Sequence, residues 1–475
     1  MTFSIFDAAA EQPHAEALTF GEERLTYQAL AERVAGRVLE FQALSIDAND
    51  SAPVALVCDL SSSCFEWLYA LLALGVPILP LHPRLTAPER QRLIEQARAR
   101  VVLEPAPQRT AARRLPGRLP VVADDALLAC VPSSGTSGSP KLVRLTHGAF
   151  LASACADSEN IGQLPSDRAL LCLPLSHVGG LSIVTRALRA RRPIVVFAPA
   201  AGGLLGSLSA LAECVTRERI SLLSLVPTVL ERLMQSEPDW QPPASLRAVL
   251  LGGAACSPKL YDLARDRRVP VLPSYGLTES ASQVVTHRYP ARARSAVRSG
   301  VVSSGFPLRG VELRIQGDQI ELRGPMLCSG YVGEASPFDA RGWFKTRDRG
   351  EFDPEQGLYV LGRSSELIIT GGENVDPVEV EHALGAFPGV EAACVFGVDD
   401  ATFGQIVALV LESDDPTSLV PSSLVSFLEE RLASFKLPRL WTAVAHLPRL
   451  SSGKLDRAGA RKLAEPSLRP ISRGV

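Results

Sequence analysis

Between two apolar runs, Ala126 to Val131 and Leu142 to Leu145, the chain reads Pro132-Ser133-Ser134-Gly135-Thr136-Ser137-Gly138-Ser139-Pro140-Lys141. A strand, a hydroxyl-rich loop and a second strand are predicted. Glycines let backbone approach a phosphate, and the N–H and hydroxyl groups of such a loop donate to phosphate oxygens. Lys141 adds a point charge. Pro140 stands where a Walker A loop needs glycine, so this is another kind of loop. Its bland alternative is a Ser/Gly surface loop. Ser274-Tyr275-Gly276-Leu277-Thr278-Glu279 follows an apolar run, Val269 to Leu272, and sets an aromatic, a hydroxyl and a carboxylate at a strand's carboxyl end. Open α/β sheets put ligands there. Trp343-Phe344-Lys345-Thr346-Arg347-Asp348 offers one carboxylate suited to a pair of sugar hydroxyls. Leu361-Gly362-Arg363 precedes Gly371-Gly372-Glu373-Asn374, and Ser451-Ser452-Gly453-Lys454 lies near the C-terminus.

Lysine is scarce: the basic residues are mostly arginine, and the lysines are Lys141, Lys259, Lys345, Lys436, Lys454 and Lys462. Lys141 and Lys454 both sit in Gly/Ser-rich loops, where a compact ammonium is not replaced well by guanidinium. With 475 residues, two or more domains are expected. A hydrophobic fraction of 46% and a charged fraction of 21% are ordinary for a soluble protein, and a net charge of -2 gives no field to steer nucleic acid. The nine cysteines are scattered singly without a C-x-x-C pair, which argues against a disulfide framework or structural zinc. Small buried thiols in a reducing cytoplasm are expected. Met1 to Ala10 lacks the pattern of a secretory signal, and Trp67 to Leu81 is interrupted by Gly75, Pro77 and Pro80, so no membrane span is predicted.

The elements that must position these residues follow an α/β pattern. Strands are predicted at Ala52 to Cys58, Val76 to Leu81, Pro193 to Phe197, Leu222 to Val226 and Ala248 to Leu251. Helices are predicted at Ser61 to Leu74 and Ala87 to Ala99. Val311 to Ile315 and Gln319 to Arg323 flank Q-G-D and read as an antiparallel hairpin. After Ser364 or Ser365 comes a compact α+β unit: strands at Leu367 to Thr370, Ala392 to Phe396 and Ile406 to Leu411, with helices at Pro377 to Leu384 and Ser422 to Ala433. The expected architecture is therefore α/β. A large N-terminal region, 1–363, combines parallel layers with a small β-barrel-like part, and a small mobile α+β domain spans 364–475.

In their order and rough spacing, from Leu25-Thr26-Tyr27 to Lys454, these segments resemble the adenylate-forming superfamily of acyl-CoA synthetases, adenylation domains and firefly luciferase. The resemblance implies that ATP, Mg²⁺ and coenzyme A are used. It assigns the phosphates to Ser133, Ser134, Gly135, Thr136, Ser137, Gly138 and Lys141, and the metal to Thr136 and Glu279, beside Thr278. Gly252, Gly253, Ala254 and Ala255, with Ser274, Tyr275 and Gly276, would border adenine and the acyl group. Asp348 would hold the ribose hydroxyls, with Arg363 as a second contact. Lys454 would be the catalytic lysine, with Lys141, Glu279 and His177 completing the catalytic set. An ammonium near the bridging oxygens stabilises charge that develops as carboxylate meets the α-phosphate. The hinge would fall at Ser365, and the thioester step would use Gly371, Gly372, Glu373 and Asn374. Arg347 stands where glycine is common, Ser133 replaces threonine, and Ser365 replaces Asp or Lys.

The phrases Leu173 to Gly180, Leu225 to Thr228, Leu250 to Ala255 and Thr346 to Glu351 look most like the o-succinylbenzoate–CoA ligase branch of menaquinone biosynthesis. Its substrate carries a second carboxylate that must be recognised without reacting, and Arg186 is the candidate cation, with His177, Gly252 and Gly276 in the acid pocket. A surface arginine beside Arg189 and Arg191 is the alternative. Other aryl- or medium-chain acids, and a carrier-protein acceptor in place of CoA, stay open. So do an ADP-forming phosphotransferase and a nucleotide-binding protein. The expected partners are a small carboxylic acid and CoA, with a homodimer one option.

Overall fold

The computed structural model describes residues 3–47, 52–104, 119–133, 141–200, 203–290, 297–298, 300–363, 366–370, 373–400, 403–432, 434–450 and 453–471. The loop residues Ser134 to Pro140, the hinge residue Ser365 and the pair Gly371–Gly372 lie outside the described residues, as do Ser451 and Ser452.

Two sheets form the body of the larger part. A nine-stranded sheet runs, in spatial order, Phe306–Pro307, Ser282–Thr286, Val271–Leu277, Ala248–Leu251, Leu222–Leu225, Ala169–Leu171, Ile194–Val196, Glu16–Phe20 and Glu23–Thr26. Its centre is parallel and its edges antiparallel. A five-stranded sheet orders Val101–Leu103, Val54–Val57, Ile78–Leu81, Leu127–Ser133 and Lys141–Thr146. Helices Tyr27–Ala43, Ser62–Leu74, His147–Ile161 and Val178–Ala190 lie between the two sheets and share one apolar core with them. Ser61 caps the second of these helices by accepting from Cys64 N, and Gly75, at φ +70°, ends it in the left-handed conformation glycine adopts without cost. Helices Leu208–Arg217, Pro227–Ser236 and Pro258–Asp266 cover the other face of the nine-stranded sheet with a second core.

The barrel-like part is a four-stranded antiparallel sheet, Glu312–Gln316, Gln319–Arg323, Phe344–Asp353 and Gly357–Arg363. The hairpin across Q-G-D pairs Gln316 with Gln319 and Glu312 with Arg323. Residues 368–471 build a six-stranded sheet whose faces carry their own apolar clusters. Strand Gly404–Glu412 pairs with Ala392–Asp400 on one side and, in parallel, with Leu440–Val444.

Two elements differ from the sequence expectation. The strand expected to end at Leu272 runs from Val271 to Leu277, so Ser274 to Leu277 are strand and not loop. The reason is Ser282–Thr286, which folds back antiparallel and supplies partners for those backbone groups. The pair Glu16–Phe20 and Glu23–Thr26 also adds an edge that short apolar runs did not announce. Among the described residues no helix is long and apolar enough to cross a membrane. All nine cysteines are free thiols, and Cys155 alone is exposed.

Candidate active site

The parallel strands ending at Leu225, Leu251 and Leu277 deliver their following segments to one edge of the sheet. Gly252 and Gly253 follow the second of them. A Cβ on Gly252 would lie 2.7 Å from Ser274 Oγ, and one on Gly253, at φ +84°, would lie 2.9 Å from Lys454 Cε. Glycine suits Gly253 through its left-handed backbone conformation, and a Cβ there would also have to push the end of the lysine stem aside. Ala254 and Ala255 are exposed beside it, leaving a flat backbone surface. Gly276 lies against the returning strand, where a Cβ would be 2.1 Å from Ser282 O.

Lys454 therefore reaches from the C-terminal part into this edge. The residue is exposed at the surface, while its Cε and Nζ pass close over Gly253. Desolvation of the ammonium, with the nearby charge of Arg363, presses its pKa below the ordinary lysine value, and Asp348 opposes them.

Asp348 is buried between two donors. Tyr275 Oη donates to its Oδ2 at 2.6 Å and Arg363 Nε donates to its Oδ1 at 3.1 Å. Burial pushes the carboxyl above its usual range, while Arg363 and Tyr275 hold it down. The bulge that presents it is fixed by Thr346, whose hydroxyl accepts from Asp348 N at 3.1 Å and donates to Ile320 O at 2.8 Å. Arg347, between them, has φ +66°. A side chain in that region costs roughly 1–2 kcal/mol, which explains why glycine suits the position. Arg347→Gly is expected to raise the unfolding free energy by about 0.5–1 kcal/mol, net of glycine's greater unfolded freedom. Urea unfolding of the two proteins measures it, and a loss of stability would mean that the Arg347 side chain contributes more than the strain costs.

A second group of charges flanks the hydroxyl-rich loop. Ser133 pairs with Lys141 across the two strands that carry it, and Ser133 Oγ donates to Lys141 O at 3.3 Å. Lys141 Nζ is 2.5 Å from Glu334 Oε2 and 4.9 Å from the centre of the Tyr331 ring. Tyr331 Oη donates to Glu279 Oε1 at 2.9 Å. Thr278 and Glu279 form the short turn after the strand, and among the described residues no donor reaches Oε2 of Glu279. One free carboxylate oxygen suits Mg²⁺, which takes most of its ligands from water and phosphate. Tyr331 and Glu334 were not singled out by sequence; an aromatic and an acid in Y-V-G-E carry no spacing signal of their own.

His177 immediately precedes helix Val178–Ala190, and the close approach of Gly180 to Pro174 O sets how that helix begins. Its ring lies 6.3 Å from that of His82, another residue sequence reasoning passed over. Burial presses the His177 imidazole down to about 4, with His82 and Lys454 acting in the same sense, so the ring is neutral near pH 7. Further along the helix, Arg186 is 8% exposed. Its Nη1 is 3.9 Å from Asp157 Oδ1, and Gln283 Nε2 donates to that same oxygen at 2.6 Å. Among the described residues, Arg186 Nε and Nη2 have no hydrogen-bond partner. Gln283 stands on the strand that packs against Gly276, so the guanidinium and Gly276 share a neighbour.

In the C-terminal part, Glu373–Val375 pairs with Ile368–Thr370, matching Thr370 with Glu373 and Ile369 with Asn374. Gly362, at φ +123°, lies against Asp376 and Val378 at the junction of the two parts.

The AMP-binding enzyme family matches residues 5–332, and the AMP-binding enzyme C-terminal domain matches residues 379–454. The chain is 33% identical over 479 residues to the 2-succinylbenzoate–CoA ligase of Bacillus licheniformis, covering 94% of this chain and 96% of that one. With the ligase of the same name from Bacillus velezensis it shares 32% over 495 residues, 96% of each chain. Among solved structures it resembles o-succinylbenzoate coenzyme A synthetase from Bacillus subtilis in complex with ATP and magnesium ion. The TM-score is 0.86 and the identity 28%, over 96% of this chain and 99% of that one. The complex of that synthetase with its acyl-adenylate intermediate gives 0.83 and 27%, over 96% and 97%.

Proposed function

The chain belongs to the AMP-binding enzyme family, and on that premise we propose that it is an ATP-dependent, AMP-forming o-succinylbenzoate–CoA ligase of menaquinone biosynthesis. In the first step a carboxylate oxygen attacks the α-phosphorus of ATP, the bond to the bridging oxygen breaks, and pyrophosphate leaves. In the second, the CoA thiolate attacks the adenylate carbonyl and AMP leaves. Asp348, oriented by Tyr275 and Arg363, accepts from the ribose hydroxyls. Lys141 and the Ser133–Gly138 loop take the outer phosphates. Thr136 and Glu279 would hold Mg²⁺, which screens phosphate charge when bound. Lys454 supplies the cation beside the α-phosphate, and the Gly371–Asn374 segment serves the thiol. We take 1–363 and 364–475 as the two domains, with the hinge at Ser365. Supporting this split, the apolar clusters of the six-stranded sheet draw their members only from residues 368–471. Nine free thiols suit the reducing cytoplasm, where ATP and CoA are also found.

The specific acid rests on Arg186. A buried guanidinium with two idle donors and a poorly aligned partner is costly unless an anion arrives. A carboxylate meeting Nε and Nη2 side by side forms the bidentate pair arginine favours. A benzoate or fatty-acid pocket has no use for it. The test is pyrophosphate release and thioester mass across a panel of acids with ATP, Mg²⁺ and CoA. o-Succinylbenzoate should give the highest kcat/KM and a CoA thioester. Formation of ADP, or equal rates with benzoate, would overturn the assignment.

A further inference from the structure

We infer that Arg232, on the large part of the molecule, is a positioning residue for Lys454, acting through Glu412 and Arg449. The inference builds on the assignment of Lys454 to adenylate formation.

Lys454 sits on a tight turn. Leu450 N donates to Lys454 O at 2.8 Å, Gly453 N donates to Leu450 O at 2.9 Å, and Arg449 bridges Leu455. A lysine carried on such a turn goes wherever the root of the turn goes. That root is Arg449, and two bonds hold it. Its Nη2 donates to Glu412 Oε2 at 2.9 Å, and its Nη1 reaches Thr228 Oγ1 at 3.4 Å.

Glu412 ends the long strand Gly404–Glu412, and its side chain is 3% exposed. Its other oxygen accepts from Arg232 Nη2 at 2.6 Å, and Leu447 N donates to Oε2 at 3.3 Å. One carboxylate thus joins a guanidinium of the C-terminal sheet to a guanidinium of helix Pro227–Ser236. Thr228 and Arg232 lie one turn apart on that helix, on the same face. Gln235, near its end, reaches Glu391 at 3.4 Å. The helix is fixed to the site: Val226, just before it, packs where a Cβ on Gly253 would be 3.4 Å away and one on Gly453 3.1 Å away.

The consequence follows from geometry. Without Arg232 the Arg449–Glu412 pair survives, because both belong to the C-terminal part. What goes is the charged tie that sets this pair, and hence the turn, against the sheet edge bearing Gly253 and Asp348. A misplacement of about 1 Å far from the chemistry can cost up to 10²-fold in rate. Only the step that uses the ammonium should suffer.

The test compares Arg232→Met, which keeps an apolar stem, with Arg232→Lys, which restores the charge. Both half-reactions are read with o-succinylbenzoate: pyrophosphate release from acid and ATP, and thioester formation from supplied acyl-adenylate and CoA. For Arg232→Met, adenylation kcat should fall roughly 10- to 100-fold, with the KM for ATP and the thioester step each within about twofold of wild type. Lysine should recover part of the loss. Hydrogen exchange of the 449–455 amides should speed up in the methionine variant and slow again with lysine. Equal damage to both steps, unchanged adenylation, or unchanged exchange would each overturn the inference. If Arg232→Met does not fold, Thr228→Val removes the weaker bond and should give the same split at smaller size; an even loss there counts against it. If the wild-type protein releases no pyrophosphate, the ligase assignment fails instead, and amide exchange alone decides whether Arg232 positions the turn.

Discussion

Replacing Lys454 with alanine is expected to slow acid-dependent pyrophosphate release by about 10²–10³-fold. Thioester formation from supplied acyl-adenylate should stay within about threefold of wild type. The size follows from the charges: a carboxylate attacking phosphorus brings like charges together, and a cation placed beforehand offsets repulsion that peaks in the transition state. The site is arranged for that cation. The lysine stem crosses Gly253 so closely that a Cβ there would lie 2.9 Å from Lys454 Cε and displace the end of the side chain. Its pKa is lowered by partial burial and by Arg363, with Asp348 opposing both. The selectivity follows from chemistry, since thiolate attack on an adenylate carbonyl no longer joins two anions at phosphorus. Single-turnover assays of each half-reaction measure both numbers. A comparable loss in both would mean that Lys454 supports the fold of the cleft and not the first chemical step. Lys454→Arg is a useful companion, because a guanidinium keeps the charge but replaces the compact ammonium with a larger planar group.

Arg186→Ala is expected to cut kcat/KM for o-succinylbenzoate by roughly 30- to 1000-fold, about 2–4 kcal/mol, the range for removing one partner of a desolvated charged pair. For benzoate, which has no second carboxylate, the loss should stay below about tenfold. The complication is Asp157. Once Arg186 is gone its buried carboxylate keeps Gln283 and little else, and an uncompensated buried charge is itself destabilising. The double change Arg186→Ala with Asp157→Asn removes that orphan. If it restores stability while the preference for o-succinylbenzoate stays lost, Arg186 reads the substrate. If it restores the preference as well, the arginine serves only its ion pair and the acid assignment loses its main support.

How far the site was legible can be seen residue by residue. Lys141 and Lys454 stood out because a lysine among glycines and serines, in a chain that otherwise uses arginine, is unusual in kind and place. The Q-G-D hairpin was readable because alternation and a turn lie within a dozen residues, and register there is a local matter. Glu279 was noticed, but its partner Tyr331 was not, because 52 residues separate them. Glu334 stands 193 residues from Lys141, and Glu412 stands 180 from Arg232. In one dimension each looks like any solvated acid. Arg186 illustrates the limit best. Helical periodicity could place it on Val178–Ala190, but not say whether it faced solvent or a buried carboxylate.

The amino-acid sequence by itself determined the alternation of strands and helices, the turn at Q-G-D, and the ordered set of polar segments. Each depends on the chemistry of a few neighbouring residues. The tertiary structure alone decided which charges meet. It lengthened the strand bearing Ser274 to Leu277 by folding Ser282–Thr286 against it, buried Asp348 between Tyr275 and Arg363, and left Arg186 with donors to spare. The reason is that the worth of a charge depends on its distance from others and on the water it has lost, and both are properties of packing between segments far apart in the chain.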